Sequence, residues 1–318
     1  MTEQQQPAAA RNHIGLLVVL LVIFWSAGQR RAGADSTIVD GKEFAWAASI
    51  GWVNFRPDVP VVPDGAVIGQ TFCSGLIWSE SCGWINLGDG SPADGLRYAN
   101  DDGADFGVNH DGLGNLVGLA WGEAIGWINF GQDYDAEIPV PQVDLLTGEM
   151  SGYAWSASCG WIDLGENGTH VVATGSFKVV DVDGDDIDDG WEREQLAAAG
   201  QPDDLSLLGS TPGADADGDL VSDLDEYRAD TDPFDIHDRL RIVSREQDAA
   251  GMRSIITWTS SGRRVYQLDR SRDLQAWVTE LLRTGEAGES TTSVELDWDP
   301  ASVSREFHRI EPDLPLGP

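Results

Sequence analysis

The sequence predicts a mainly β protein in three parts: a domain of repeated β-hairpins or meanders, an acidic segment with short helices, and a small C-terminal β-sandwich. Three observations carry this. A 14-residue pattern with two tryptophans recurs four times between positions 43 and 165. Residues 181–238 then hold 20 acids and two bases, and the acids fall in register. From Arg239 on, 11 bases nearly balance 13 acids and short alternating apolar runs return. With 318 residues, two or three domains are expected. A net charge of −34 repels nucleic acid and anionic lipid and attracts divalent cations. The 13 Trp and 41% apolar residues argue for folded cores despite the acidity.

The first element stands apart. Ile14 to Trp25 is an unbroken apolar run, with Arg11 before it and Ala32-Gly33-Ala34 after it. This predicts a secretory signal over residues 1–34, and so a secreted, extracellular or cell-surface location. Arg30 and Arg31 lie close to the expected cut, which leaves an uncleaved membrane anchor open.

Next come the repeats, predicted to fill residues 35–178. They read EFAWAASIGWVNF, GLIWSESCGWINLG, GLAWGEAIGWINFG and GYAWSASCGWIDLG. Their first tryptophans are Trp46, Trp78, Trp121 and Trp155, and a second follows six residues later at Trp52, Trp84, Trp127 and Trp161. Such a period signals stacked supersecondary units. Each copy predicts a hairpin, an apolar run turning through four mostly small or polar residues into Gly-Trp. That loop length would pair Trp121 with Gly126 and Ala120 with Trp127. By alternation, Leu119, Trp121, Ile128 and Phe130 would share an apolar core face. So would Phe44, Trp46, Val53 and Phe55, and their equivalents in the other copies. The second Trp would lie on the opposite face, beside Asn54, Asn86, Asn129 or Asp163. That face suits either packing on a neighbouring repeat or a row of platforms for sugar rings. Upstream runs ending in DGLGN and LTGE add a third strand per repeat. The combined pattern resembles a Trp-rich repeat of exported bacterial proteins, a resemblance that implies export and no activity.

Three cysteines, Cys73, Cys82 and Cys159, leave one thiol over if a pair is oxidised. Cys82 and Cys159 occupy equivalent repeat positions and are the favoured pair, with Cys73–Cys82 the alternative. Buried free thiols are the plainer outcome.

In the acidic segment, residues 179–238, two loops share one spacing. DVDGDDIDDGWE places Asp181, Asp183, Asp185, Asp189 and Glu192 at positions 1, 3, 5, 9 and 12. DADGDLVSDLDE places Asp215, Asp217, Asp219, Asp223 and Glu226 at the same offsets. Calcium takes six to eight oxygens at about 2.3–2.6 Å, which alternating Asp side chains supply. The carbonyls of Ile187 and Val221 would serve at position 7, and the last Glu from the start of a helix. WEREQLAAAG predicts such a helix, ending at Gly200. A solvated linker would need no register. The loops resemble thrombospondin type-3 repeats, whose second copy continues into Thr-Asp-Pro, here Thr231-Asp232-Pro233. That resemblance implies Ca²⁺ as the bound cofactor. Position 6, usually Gly, is Asp186 or Leu220 and should strain the turn.

The last part, residues 239–318, shows six short runs, RLRIVS, SIITWTS, RVYQLDRS, AWVTELL, SVELDW and EFHRI, which predict a small sandwich. Their order resembles a fibronectin-like module that follows type-3 loops in exported bacterial proteins.

No nucleophile elbow, H-E-x-x-H or phosphate loop appears, and His110, His170, His237 and His308 are isolated in sequence. Glu80, Glu123 and Glu149 fall in predicted turns. The expectation is a non-catalytic, exported, calcium-binding structural or adhesive protein, with calcium stiffening a spacer between two β modules. The alternative is carbohydrate binding through the second Trp row; a secreted hydrolase is a third class. Partners would be calcium and an extracellular glycan or surface protein, with no nucleic acid, and a membrane only through an uncleaved N-terminus.

Overall fold

The computed structural model describes residues 36–57, 65–131, 138–166, 169–211, 213–247, 253–297 and 306–317. The predicted signal segment lies outside them. The fold is mostly β, as expected.

The four Trp hairpins close on themselves. They are Ile38–Ala47 with Gly51–Asn54, Leu76–Ser79 with Gly83–Asn86, Leu116–Gly122 with Gly126–Phe130, and Tyr153–Ser156 with Gly160–Asp163. Each pairs antiparallel with the next, and the last strand returns to the first. The result is an eight-stranded barrel-like sheet. At each hairpin boundary the register advances two residues: Asn54 faces Trp78, Asn86 faces Trp121, Asn129 faces Trp155 and Asp163 faces Trp46. This stagger is the shear that closure requires, and closure removes the exposed edges a row of hairpins would leave.

The hairpin register differs from the predicted one by a single residue. The loop holds three residues, so Trp121 pairs with Trp127, Ala120 with Ile128 and Gly122 with Gly126. The other copies match: Trp46 with Trp52, Trp78 with Trp84, Trp155 with Trp161. The cause is the glycine after the loop. Gly51, Gly83, Gly126 and Gly160 have φ of +74°, +78°, +75° and +78°, the left-handed residue that completes a three-residue hairpin loop. Side chains alternate, so the slip moves the first Trp to the other face. Trp46 and Trp121 are 40% and 39% exposed rather than core, and Phe44 is exposed as well. The second-strand residues keep their predicted inward face: Val53, Ile85, Ile128 and Ile162 fill the barrel interior, with Phe55, Leu87, Phe130 and Leu164 below them.

A third equivalent set plugs one mouth of the barrel. Ile50, Cys82, Ile125 and Cys159 each precede the turn glycine and are buried. Buried Ser79 and Ser156 each donate to a neighbouring turn, to the carbonyls of Ile50 at 3.2 Å and Ile125 at 3.4 Å. All three cysteines are free thiols, so neither disulfide weighed above forms. Cys82 and Cys159 belong to hairpins on opposite sides of the ring, not to neighbours. Burial pushes the Cys73 thiol up to about 12, which leaves it inert.

Three of the four hairpins carry an upstream pair: Val67–Ile68 with Cys73–Ser74, Val108–His110 with the start of the third hairpin, and Gln142–Val143 with Met150–Ser151. The strand His170–Thr174 runs along the first strand and ends the barrel.

The acidic segment forms two short helices, α1 (Asp189–Ala198) and α2 (Asp223–Ala229). Gly200, with φ +67°, ends the first as predicted. Although the segment is mostly polar, Ile187, Trp191, Leu208 and Tyr227 bury together against Leu224, Phe234 and Leu314. Leu314 arrives from beyond the sandwich, and Leu316 continues onto the barrel core.

The C-terminal part is two three-stranded antiparallel sheets. One is Ile242–Gln247, Arg253–Thr259, Thr291–Asp297; the other is Trp277–Thr284, Val265–Ser271, Phe307–Asp313. Ile256 and Trp258 of the first bury against Tyr266 and Leu268 of the second. All six predicted runs appear as strands.

Candidate metal centres and tryptophan girdle

The two acidic loops fold alike, atom for atom. Asp181 Oδ1 accepts from Gly184 N at 2.6 Å and Asp185 N at 3.1 Å, and its Oδ2 accepts from Asp186 N at 3.0 Å. Asp215 makes the same three bonds, to Gly218, Asp219 and Leu220, at 2.7, 3.2 and 3.0 Å. At position 5, Asp185 accepts from Ile187 N and Asp219 from Val221 N, at 2.9 and 2.8 Å. This wraps each loop tightly around its carboxylates. Position 6 is forced left-handed, with φ of +72° at Asp186 and +78° at Leu220, as the missing glycine predicts.

Three carboxylate groups could hold a metal ion: Asp181, Asp183 and Asp189; Asp183, Asp185 and Glu192; and Asp215, Asp217 and Asp219. Within each, ligand atoms lie within 4.8 Å of one another. Acidic clusters alone say little. The position-12 glutamates say more. Glu192 and Glu226 are fully buried, and neither oxygen of either has a hydrogen-bond partner. Oxygens Asp185 Oδ2, Asp217 Oδ2 and Asp219 Oδ2 are also buried without hydrogen-bond partners, with Arg239 3.9 Å from the last. Burying an ionised carboxylate with nothing to offset it is costly. Burial first, then the charges of Asp185 and Asp183, push Glu192 up to about 8. Burial and then Asp217 and Asp219 push Glu226 up to about 9. Asp183 and Asp217 are raised by burial and by their acidic neighbours. At Asp181 burial also pulls upward, but the three backbone N–H groups outweigh it.

Position 9 has a duty the spacing did not reveal. Asp189 Oδ1 accepts from Val182 N at 2.8 Å, and Asp223 Oδ1 accepts from Ala216 N at 2.9 Å. Their second oxygens accept from Arg193 and Gly209 N. These acids staple the loop to its helix. Ile187 buries its side chain in the segment's core, and Val221 is half-buried.

Sequence reasoning also missed the contacts that seat this segment. Asp188 caps α1, accepting from Gly190 N and Trp191 N, and its second oxygen takes Val180 N at 2.9 Å. Burial raises Asp188 to about 6. The Glu194 carboxylate is shared by Arg97 of the barrel at 2.6 Å and Arg263 of the sandwich at 2.7 Å. Asp230, left-handed at φ +56°, ends α2 and accepts from Trp191 Nε1 at 2.9 Å and from Ser261 Oγ. Burial alone would raise its carboxyl, but Arg264 and Arg263 hold it below the usual range. Arg264 donates to the Tyr227 carbonyl at 3.0 and 2.7 Å, placing a cation at the helix C-terminus. Gln70 of the barrel donates to the Tyr227 hydroxyl at 2.6 Å. Apart from the local Asp188 cap, none of these partners lies within thirty positions of the other, so no local pattern announces them.

The tryptophans form the second feature. Both members of each pair lie outside the barrel, edge to face in the first three and tilted at 56° in the fourth, with ring centroids 4.7, 4.8, 4.7 and 4.7 Å apart. Each first Trp ring edge sits 3.9 Å from where a side chain on the turn glycine would begin. Trp52 and Trp127 are 49% and 41% exposed; Trp84 and Trp161 are half-buried. The Asn or Asp beyond the second Trp closes a turn, as with Asn86 Oδ1 accepting from Gly88 N at 2.9 Å.

Compared with protein-family models, curated proteins and solved structures, the chain matches none. Among the described residues, no helix is long and apolar enough to cross a membrane.

Proposed function

We propose that this is an exported, non-catalytic structural or adhesive protein whose two acidic loops bind calcium. The observation that supports it best is the pair of buried, unpartnered glutamates, Glu192 and Glu226, each at the end of a loop of alternating Asp. An all-oxygen donor set on a tight loop suits a hard divalent cation, and the spacing suits Ca²⁺. Calcium here stiffens a spacer between two β modules. Each position-12 glutamate opens a helix whose later residues grip both neighbours: Glu194 holds Arg97 and Arg263, and Tyr227 holds Gln70 and Arg264. Calorimetric titration of the full chain should find about two ions at about 10⁻⁴–10⁻³ M, the extracellular range. Uptake left unaltered by Asp183→Asn with Asp217→Asn would sink the proposal.

The exposed girdle favours a second reading, carbohydrate binding by the Trp row of Trp52, Trp84, Trp127 and Trp161. Aromatic rings held at a solvent-facing surface present flat apolar area at little entropic cost. A glycan array with and without chelator separates the two.

A further inference from the structure

The four Trp positions are not equivalent in the folded barrel. We infer that the seam between the first and fourth hairpins holds a binding site for a single neutral sugar ring, built on Trp52, Phe44 and His170. This rests on the second reading above and narrows it to one place.

A cavity of about 250 Å³ lies at this seam, lined by Gly41, Phe44, Trp52, Thr169, His170 and Val171. Drug-sized ligands take about 300–1,000 Å³, so there is room for one small ring. Trp52 is the most exposed of the eight girdle tryptophans, at 49%. Phe44 meets it edge-on at 6.0 Å and His170 at 5.7 Å, so three rings surround the space. The other second-row tryptophans lack this setting. Trp127 meets Phe106 edge-on at 5.1 Å, and Trp161 meets Tyr153 edge-on at 6.4 Å.

The polar chemistry at the seam is also different. Asn54, Asn86 and Asn129 become Asp163 in the fourth copy alone. Asp163 Oδ1 closes its turn on Gly165 N at 3.0 Å, as the amides do, which leaves Oδ2 over. That oxygen lies 3.6 Å from His170 Nε2, which is buried with no hydrogen-bond partner on a side chain only 6% exposed. A carboxylate beside Nε2 favours the proton there and leaves Nδ1 as the ring's acceptor. Nδ1 is then the imidazole nitrogen left to accept from a ligand hydroxyl, and Thr169 brings a hydroxyl to the same lining.

Charge decides the ligand class. In a chain of net −34, the described cavity lining carries no carboxylate and no Lys or Arg. Asp163 is itself only 8% exposed and turned to His170. An anion would be repelled by the chain as a whole. A cation would find aromatic faces but no facing carboxylate in the lining. A neutral ring with an apolar face and hydroxyl edges matches flat aromatics flanked by one acceptor.

The test uses the full chain and a panel of methyl pyranosides with tetramethylammonium alongside, read by saturation-transfer NMR and tryptophan fluorescence. At least one pyranoside should bind at millimolar strength. Trp52→Ala and His170→Ala should each weaken it at least about tenfold, and Val278→Ala, on an exposed strand of the sandwich, should leave it unchanged. Trp52→Phe keeps a ring in place and should retain part of the affinity, which guards against a folding defect. Equal loss in Trp84→Ala would overturn the seam site while keeping a girdle-wide lectin. Binding of tetramethylammonium in preference to every pyranoside would overturn the neutral-sugar assignment. No pyranoside binding, with a negative glycan array, would remove both.

Discussion

Glu194 Oε2 lies 2.7 Å from Arg263 Nη1, and the other oxygen of the same carboxylate lies 2.6 Å from Arg97. One acid on α1 therefore joins the barrel to the sandwich, two residues beyond the buried Glu192. Replacing it leaves two half-buried guanidinium groups without their shared partner. Glu194→Gln should cost about 1–3 kcal/mol, the range for hydrogen bonds to charged groups. If calcium positions α1, chelation should loosen the same joint. Small-angle scattering should show a broader particle both in the mutant and in chelator-treated wild type. Unchanged profiles in both would mean that the arginine pair does not set the arrangement.

The buried glutamates predict an unusual pair of responses. Glu192→Gln keeps the shape but removes an acid that, without metal, the fold must hold protonated against its ordinary range. Without calcium the variant should melt higher than wild type, and with calcium it should gain little. Terbium luminescence excited through Trp191 should fall in both Glu192→Gln and Glu226→Gln, because Trp191 and Tyr227, 5.2 Å apart, adjoin the two glutamates. A metal-free variant that melts lower than wild type would contradict the reading of Glu192 as an uncompensated acid.

The same groups set a pH dependence. With no metal, Glu192 and Glu226 stay protonated in the folded state up to about 8 and 9, whereas the unfolded chain releases those protons near its ordinary carboxylate range. The folded state binds more protons over that interval, so metal-free stability should fall as pH rises through it. Calcium needs both carboxylates ionised, so binding at neutral pH should release protons and strengthen as pH rises. Titrations in buffers of different ionisation enthalpy measure that release. No release at pH 7 would mean the glutamates are already charged.

The barrel register makes a third contrast. Ile128, 1% exposed inside the barrel, should cost about 2–5 kcal/mol when cut to Ala. Trp121 is 39% exposed and loses mainly its edge-to-face contact with Trp127. Trp121→Ala should cost about 0.5–1.5 kcal/mol. Denaturant melts that rank the two the other way round would favour a four-residue loop and an inward Trp121.

How much was legible follows from how local each feature is. Hairpin number, the six sandwich strands and the doubled acid spacing are written within short windows, and the structure has all three. The register hung on one residue: counting Gly126 as the partner of Trp121 rather than of Gly122 inverted the first strand of every hairpin and left the faces of the second strand right. The signal was present in a glycine always placed before the second Trp, which a left-handed position requires. Barrel closure was not legible, because the pairing of Trp46 with Asp163 spans almost the whole repeat domain. The segment's core escaped for the same reason, drawing Ile187, Trp191, Tyr227 and Leu314 from separate stretches. Asp163 and His170 read as one turn residue and one isolated histidine until the chain brings them together.

The left-handed position 6 offers the most direct test of loop strain. Leu220 holds φ +78° with its side chain 94% exposed, so it gains almost nothing from burial to offset the conformation. A left-handed backbone costs an L-residue about 1–2 kcal/mol. Glycine removes that cost but gives back about 0.5–1 kcal/mol through a freer unfolded chain. Leu220→Gly should therefore stabilise the protein by a few tenths to about 1 kcal/mol. If the relaxed loop is the one that receives the ion, the gain should be larger with calcium than without. Paired melts in calcium and in chelator measure both terms. Destabilisation by Leu220→Gly in both conditions would mean that the exposed leucine makes a contact outside this chain.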